Sequence, residues 1–358
     1  MKSLTAFHVD ESRFLNLISG SQQGVIPGLK RGCLAALSLF YGLAVRLRNR
    51  AFDVGLKKTH RADVPVISIG NITTGGTGKT PMVAYVANWF RERGVQPVVL
   101  SRGYRSLDGE TNDEKLVLDR LCPGTPHLQN PDRVASAHRA VAEHAAQVLI
   151  LDDGFQHRRL HRDLNIVLID ALNPFGYGKL LPRGLLREPL SELKRADIVL
   201  VTRADQSSDE EKNQIRETVS RLAPDVPIAE VAFHAEGLVN LVGETKPLSH
   251  LKNQPVVGFC GIGNPESFRR TLSGCEIKAF EVFPDHHHYT AEEIAALQAL
   301  ANEHRAESLV TTLKDLVKIP QSAGDVVPVW AVGISCQLTT EDEILANKFM
   351  QIFPELTM

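Results

Sequence analysis

One segment constrains the fold more than any other: in residues 66–93 an apolar strand pattern runs straight into a glycine-rich loop and then into a helical pattern. The loop reads Gly-Asn-Ile-Thr-Thr-Gly-Gly-Thr-Gly-Lys-Thr over residues 70–80. Such a loop presents backbone N–H groups at the N-terminus of the following helix, where they favour an anion. The segment therefore predicts an α/β sheet with a phosphate site at the carboxyl end of one strand.

The strict phosphate-loop pattern has a glycine where this chain has Thr73. That position needs only a permissible turn, and the residues that carry the chemistry are present. Lys79 supplies charge for the β- and γ-phosphates, and Thr80 supplies a hydroxyl for Mg²⁺. We therefore predict a nucleotide-binding loop made of Thr73, Thr74, Gly75, Gly76, Thr77, Gly78, Lys79 and Thr80.

The chain has 358 residues and is too long for one ordinary core. From Asp63 onward, short apolar β-branched runs alternate with helical stretches, as in parallel sheets that are buried on both faces. We predict a P-loop NTPase-like, doubly wound, mostly parallel α/β sheet with a second, smaller α/β domain. The predicted parts are an N-terminal segment (1–62), a nucleotide-binding domain (63–235), a smaller α/β domain (236–340) and a C-terminal helix (341–358).

Two acids follow a later strand pattern, in the stretch Gln-Val-Leu-Ile-Leu-Asp-Asp-Gly. A nucleotide site of this class needs an acid at a strand end, across from the loop threonine, to hold Mg²⁺ directly or through water. We predict that Asp153 shares the metal with Thr80 and that Asp152 lies close by.

Composition excludes several other classes. The formal net charge of −2 gives no general attraction to nucleic acid, so we expect no nucleic-acid partner. The five cysteines are scattered singly, which argues against disulfides and zinc and fits a reducing compartment. The first twenty residues lack the apolar core of a secretory signal.

Two other nucleotide-binding classes have related motifs. Partitioning-type ATPases carry a lysine immediately before the paired glycines, where this chain has Thr74. GTPases carry an [NT]-K-x-D motif after a late strand, and residues 202–205, Thr-Arg-Ala-Asp, differ by having arginine in place of the lysine. We interpret this second segment mainly as a helix-capping loop.

A fourteen-residue uncharged run, Gly32–Val45, precedes the sheet. Fourteen residues are too few to span a bilayer as a helix. Leu34, Leu37, Tyr41 and Val45 are spaced to form one apolar stripe, and a basic stretch with six Lys and Arg residues follows before Asp63. An apolar helix beside a basic segment predicts an interfacial anchor on an anionic membrane surface.

The sequence resembles the tetraacyldisaccharide 4′-kinases, the lipid A 4′-kinases of Gram-negative bacteria. The motifs that carry the resemblance run in order from about residue 37 to residue 319: LFYGLAVRLRNRAFDVGL, VISIGNITTGGTGKTP, LSRGYRS, LDDGFQHRRLHRDLNIVLIDA, LPRGLLREPLSELKRAD, GFCGIGNPESFRRTL, FPDHHHYT and TTLKDLVKI.

The resemblance implies an enzyme that uses ATP and Mg²⁺ to phosphorylate the 4′-hydroxyl of a tetraacyl glucosamine disaccharide 1-phosphate, the lipid A disaccharide precursor. It also implies a peripheral location at the cytoplasmic face of the inner membrane. The alternative from a different class is a P-loop nucleotide-switch ATPase that acts through a protein partner.

The resemblance further implies site residues. The catalytic set is Lys79 with Asp113 as the base and His286 orienting it or relaying the proton, an aspartate–histidine pair meeting between the two domains. Members of the family carry Gly-Asp-Glu-Pro after the Arg-Gly-Tyr strand, whereas this chain has Thr-Asn-Asp-Glu-Lys-Leu, so Glu114 is the other counterpart. Arginine suits phosphate because its fork binds two oxygens. The implied substrate contacts are Arg102, Arg187, Glu188 and His157.

Overall fold

We analysed a computed structural model of the chain. It describes residues 13–103, 113–263, 265–285, 287–320, 327–338 and 342–356. The predicted catalytic residue His286 lies outside the described residues, as does the whole segment 104–112.

Helices and strands alternate along the described chain. The helices are α1 (13–19), α2 (Val25–Asp53), α3 (Lys79–Glu92), α4 (Asp113–Leu121), α5 (Arg133–His144), α6 (Asp209–Leu222), α7 (Pro265–Thr271), α8 (Ala291–Glu303), α9 (Leu313–Leu316) and α10 (Asp342–Ile352). The strands are β1 (Val66–Asn71), β2 (Pro97–Ser101), β3 (His127–Gln129), β4 (Val148–Asp152), β5 (Leu164–Asp170), β6 (Ile198–Thr202), β7 (Ile228–Asn240), β8 (Thr245–Lys246), β9 (Pro255–Cys260), β10 (Glu276–Val282), β11 (Ser308–Thr312) and β12 (Val329–Leu338).

The contacts between residues divide the chain into two compact units. Unit 1 contains the chain up to residue 105, residues 121–232 and the chain from residue 336 onward. Unit 2 contains residues 106–120 and 233–335. The predicted N-terminal segment and C-terminal helix therefore group with unit 1, and neither forms a domain of its own. Residues 106–120, predicted to belong to the nucleotide-binding domain, group with unit 2.

Unit 1 is built on a parallel sheet in the order β7-β6-β5-β1-β4-β2-β3. Every residue of β1, β2, β4 and β6 is buried, which explains why these strands read as continuous apolar runs. Their side chains pack under α3, α5 and α6, the helices that follow or precede them in sequence. The predicted mostly parallel α/β sheet is confirmed.

Unit 2 has a smaller parallel arrangement in the order β10-β9-β11-β12. Its core gathers apolar side chains of these strands around Trp330, which is 2% exposed. Helix α8 begins with a capping box, in which the Thr290 hydroxyl accepts from the Glu293 N–H and the Glu293 carboxylate accepts from the Thr290 N–H.

Helix α2 differs from the prediction in length and in the face that packs. It has 29 residues and is about 43 Å long. Within the part of the chain that the structure describes, it is the one helix with the length and apolar composition to cross a membrane. The residues of the predicted stripe do not share one environment. Val45 is buried and the Tyr41 hydroxyl donates to the Arg187 carbonyl, whereas Leu37 is exposed.

The exposed side of α2 carries a second set of apolar residues, besides the predicted stripe. Both faces of this helix carry apolar residues, so spacing alone does not tell which one packs. We call the following residues the outward face of α2: Ile26, Leu29, Leu39, Phe40, Leu43 and Leu47, all of them more than half exposed.

The C-terminal helix α10 packs on α3, the helix that follows the phosphate loop. The Phe349 ring is fully buried, and its centroid lies 4.7 Å from that of Trp89 and 5.1 Å from that of Phe90. Helix α10 therefore completes the core on which α3 rests.

We expect Phe349→Ala to lower the free energy of unfolding by about 3–5 kcal/mol, because it leaves an aromatic-sized cavity beside α3. The measurement is the midpoint of thermal unfolding, compared with that of Gln351→Ala on the exposed side of the same helix. Equal midpoints for the two variants would contradict the packing described for α10.

Candidate active site

The carboxyl ends of four neighbouring strands in unit 1 bring the predicted loop and acids together. The glycine loop follows β1, while β4, β5 and β6 end in Asp152, Asp170 and Thr202. The register aligns Ile69 with Asp152 and Asp170 with Thr202. In open parallel sheets, ligands bind in the crevice outside these strand ends.

The glycine loop has the backbone that a phosphate site requires. Gly75 and Gly78 adopt positive φ angles of 117° and 84°, a region that side chains other than glycine rarely occupy. Gly78 is the N-cap of α3, and Lys79 and Thr80 form its first turn. The unpaired N–H groups of that first turn favour an anion there.

One carboxylate gathers two cations beside the loop. Lys79 Nζ lies 3.7 Å from Asp153 Oδ1, and Arg187 Nη1 donates to Asp153 Oδ1 and Oδ2 at 2.9 and 2.7 Å. We call these three residues the Lys79–Asp153–Arg187 cluster. Two cations and a carboxylate therefore lie together beside the phosphate loop, and phosphoryl transfer uses groups of these kinds.

Asp153 has an uncommon backbone conformation and a lowered side-chain pKa. Its backbone adopts φ 52°, a left-handed conformation in which aspartate and asparagine are several-fold enriched among residues other than glycine. Burial raises the pKa of its carboxyl, but Lys79, Arg187 and Arg133 together lower that pKa by more, so the net pKa is below its usual value. Asp153 is therefore ionised at neutral pH, as a metal ligand must be.

The Thr-Arg-Ala-Asp segment after β6 has a role that the sequence analysis missed. The Thr202 hydroxyl donates to the carbonyl of Thr77 at 3.0 Å. Arg203 Nη2 donates to the carbonyl of Gly76 at 2.6 Å, and its Nη1 pairs with Asp170. Thr202 and Arg203 thus hold two backbone carbonyls of the phosphate loop through hydrogen bonds. These bonds stabilise the loop conformation in which its N–H groups point inward.

We expect Arg203→Ala to weaken ATP binding about tenfold, because the loop loses a charge-assisted hydrogen bond at Gly76. The measurement is the Kd of a non-hydrolysable ATP analogue by calorimetry. Arg221→Ala, on the exposed surface of α6, is the matched control. An unchanged Kd in Arg203→Ala would show that the loop holds its shape without this arginine.

Arg187 and Glu188, predicted together as substrate contacts, have different environments. Arg187 reaches the cluster and is partly exposed. Glu188 is fully buried, and its carboxylate pairs with Arg48 and Arg195 and accepts from Asn49 Nδ2 at 3.2 Å. Both carboxylate oxygens of Glu188 thus have partners inside the unit, and its predicted contact with substrate stays a prediction.

His157 and Arg102 lie near the same strand ends. Burial, followed by the charges of Arg133, Arg162 and Arg159, lowers the pKa of His157 to about 4, so its imidazole is neutral at pH 7. Its Nε2 is buried without a hydrogen-bond partner among the residues that the structure describes. A neutral imidazole can donate one hydrogen bond and accept another. Arg102 is exposed just after β2.

The residues present fit a magnesium ion with nucleotide. Mg²⁺ is bound in such sites by one or two protein oxygens, with phosphates and water completing the shell. The Thr80 hydroxyl at the start of α3 and the ionised Asp153 supply two, and Asp152 is buried next to Asp153. Among the described residues, no group of three or more His, Cys, Asp or Glu side chains is placed to hold a metal ion.

The predicted base, Asp113, begins α4 and groups with unit 2. Lys318 Nζ lies 3.7 Å from Asp113 Oδ2 and 3.7 Å from Asp315 Oδ1. The Lys318 side chain is only 3% exposed. Asp315 is itself fully buried and accepts from the Gly261 N–H and the Thr312 hydroxyl. Asp113, Lys318 and Asp315 thus form a network at the start of α4, and all three residues group with unit 2.

Several contributing residues were not found by sequence reasoning. Asn71 Oδ1 accepts from Lys79 Nζ at 3.4 Å, and Gln156 Nε2 donates to the Asn71 carbonyl at 2.9 Å. The buried Arg133 donates to the Asp152 carbonyl at 2.9 Å. Asn71 and Gln156 lie in motifs quoted above, but nothing in their spacing distinguished them from neighbouring polar residues.

A parallel sheet with a Gly-Lys-Thr loop after its central strand and an acid after the neighbouring strand defines a P-loop protein that handles nucleotide phosphates. The sequence profile of LpxK, Tetraacyldisaccharide-1-P 4′-kinase, matches residues 31–353. The chain therefore belongs to the tetraacyldisaccharide 4′-kinase family, and the nucleotide-switch alternative is not favoured.

Individual relatives agree with the profile. A protein named Tetraacyldisaccharide 4′-kinase from Syntrophus aciditrophicus is 43% identical over 312 residues, which cover 80% of this chain and 83% of that protein. One of the same name from Geobacter sulfurreducens is 39% identical over 88% of this chain and 92% of its own length. The crystal structure of LpxK from Aquifex aeolicus in complex with ATP aligns with a TM-score of 0.72 at 31% identity, covering 90% of this chain and 99% of that one.

Proposed function

We propose that this chain transfers the γ-phosphoryl group of ATP to the 4′-hydroxyl of a tetraacyl glucosamine disaccharide 1-phosphate, the lipid A disaccharide precursor. The observation that carries the proposal is the Lys79–Asp153–Arg187 cluster at the mouth of the phosphate loop. Family membership supplies the class of acceptor, since the relatives are named for phosphorylation of this disaccharide.

The residues would divide the work as follows. Catalysis of phosphoryl transfer consists mainly of positioning and charge neutralisation. The loop N–H groups and Lys79 hold the β- and γ-phosphates, and Arg187 neutralises charge on the transferred group. Thr80 and Asp153 would hold Mg²⁺, which supplies further charge neutralisation when bound. Asp113 accepts the proton of the attacking hydroxyl, with His286 predicted to orient it or relay the proton.

Substrate recognition would use the remaining predicted contacts. Arg102 is exposed just beyond β2, and its guanidinium is the predicted contact for an anionic headgroup. His157 offers a neutral nitrogen to the sugar or its phosphate, since its low pKa keeps it uncharged. The glycosidic phosphate of the acceptor needs a cation, and arginine binds it through two oxygens.

The acceptor is a membrane lipid, and α2 gives the protein a way to reach it. The outward face of α2 is apolar, and it leads to exposed basic residues that include Arg46, Arg50, Lys57 and Lys58. Each basic residue near an anionic surface contributes about 1 kcal/mol. The opposite face of α2 makes hydrogen bonds to residues 180–188 of the same unit. This arrangement supports a helix that lies in the plane of the membrane–water interface. We infer peripheral binding at the cytoplasmic face of the inner membrane.

The test of function is acceptor-dependent transfer. Purified protein is incubated with γ-labelled ATP, Mg²⁺ and detergent-dispersed tetraacyl disaccharide 1-phosphate. We expect label in the lipid and little ATP turnover without lipid. Equal ATP turnover with and without lipid, with no label in the lipid, would instead support the nucleotide-switch class.

A further inference from the structure

Helix α2 carries more contacts to the active site than an anchor requires. The segment 180–188, which delivers Arg187 to the cluster, lies against its inward face. The Ser38 hydroxyl donates to the Leu180 carbonyl at 2.9 Å and accepts from the Arg183 N–H at 3.0 Å. The Tyr41 hydroxyl donates to the carbonyl of Arg187 itself at 2.9 Å.

A second group of contacts lies about two turns beyond Tyr41 along α2. Asn49, which is 2% exposed, donates to the buried Glu188 carboxylate, and Arg48 pairs with the same carboxylate. Arg195 completes this buried set from the far side of the segment. Glu188 is therefore fixed by α2, and its position fixes the adjacent Arg187.

The segment held by α2 is in turn fastened to the phosphate loop. The Arg187 N–H donates to the Ile72 carbonyl at 2.8 Å, and the Thr74 N–H donates to the Leu185 carbonyl at 2.8 Å. Thr73 and Leu186 form an antiparallel bridge between them. The chain of contacts thus runs from α2 through 180–188 to the loop and, through the Arg187 side chain, to Asp153.

We propose that α2 is a positioning element of the active site, and that Ser38 and Tyr41 are positioning residues for phosphoryl transfer. One face of the helix would meet the lipid while the other holds Arg187 in register with Asp153 and the phosphate loop. A displacement of about 1 Å at a catalytic group is enough to cost a large part of the rate. This inference rests on the proposed kinase function.

The variant Tyr41→Phe tests the inference by removing only the hydroxyl oxygen of the side chain. It removes the hydrogen bond to the Arg187 carbonyl and leaves no cavity. We expect kcat on detergent-dispersed acceptor to fall about five- to tenfold, the loss of one hydrogen bond expressed in the transition state. The Kd of ATP, its binding stoichiometry and the vesicle affinity should not change. Ser38→Ala should act in the same direction.

The matched control is the adjacent residue on the opposite face. Phe40 is 73% exposed and belongs to the outward face of α2. Phe40→Gln should weaken binding to vesicles of phosphatidylethanolamine and phosphatidylglycerol about tenfold, because it removes an aromatic ring from the apolar surface. Tyr41→Phe should keep the wild-type vesicle affinity, so the two variants separate membrane binding from phosphoryl transfer.

The outcomes separate the inference from the function on which it rests. If the wild type transfers no label to the lipid, the proposed function fails. If the wild type transfers label and Tyr41→Phe and Ser38→Ala both keep its kcat, the function stands and the inference is overturned. A fall in kcat accompanied by an equal fall in ATP-binding stoichiometry would also overturn it, because that result reports loss of folded protein.

Discussion

Asp153→Asn is expected to lower kcat by about 10³-fold or more, which is the scale of losing a preorganised electrostatic group in a water-poor site. The carboxylate balances Lys79 and Arg187 and is the predicted ligand of Mg²⁺, so its loss removes a metal ligand and leaves two cations without their partner. Asparagine also accepts the left-handed backbone that Asp153 adopts, so the fold should persist.

The measurement is steady-state turnover at saturating ATP, Mg²⁺ and acceptor, with thermal unfolding as a check of the fold. Asp205→Asn changes an exposed carboxylate just beyond β6 in the same unit and is the matched control. It should retain wild-type kcat. A value for Asp153→Asn within tenfold of wild type would remove Asp153 from the centre of the mechanism.

Asp113→Asn is expected to lower kcat by about 10²–10⁴-fold while the Kd of ATP stays within about twofold of the wild-type value, because general-base catalysis contributes to the rate on this scale. Asparagine keeps the shape of the side chain at the start of α4 but cannot accept the proton. The nucleotide contacts proposed here all lie in unit 1, whereas Asp113 groups with unit 2.

Glu114→Gln provides the control for this prediction, because Glu114 is the alternative counterpart of the family acid. Asp113 Oδ2 lies 3.7 Å from the amino group of the nearly buried Lys318. We expect Glu114→Gln to keep most of the turnover. The reverse pattern, with turnover lost in Glu114→Gln and kept in Asp113→Asn, would transfer the role of base to Glu114.

The phosphate loop and the acid after β4 could be predicted because their signals are local. Gly78, Lys79 and Thr80 adjoin in sequence, and the strand–loop–helix order fixes where they lie. Asp152 and Asp153 follow a run that is apolar throughout and is therefore a buried strand. Parallel pairing of β1 with β4 then brings loop and acid to one edge of the sheet.

The remaining parts depend on long-range pairing that spacing does not encode. From the sequence, Glu188 is expected to be an acid in a loop beside a substrate-binding arginine. In the structure it is buried against Arg48 and Asn49, about 140 positions earlier in the chain. The two apolar faces of α2 have similar composition, and only the partner segment 180–188 decides that Tyr41 turns inward. Asp113 likewise joins unit 2 through Lys318, about 200 residues away in sequence.

The central claim, phosphoryl transfer to the 4′-hydroxyl, is tested most directly by locating the new phosphate on the lipid. The product of the reaction with labelled ATP is treated with mild acid, which removes the anomeric 1-phosphate but leaves a phosphate ester of an ordinary hydroxyl. Phosphorus–proton correlation NMR then assigns the ester carbon. We predict that the label survives the acid and correlates with the proton at the 4′ position. Label that is lost with the anomeric phosphate, or that correlates with a different sugar position, would contradict the account.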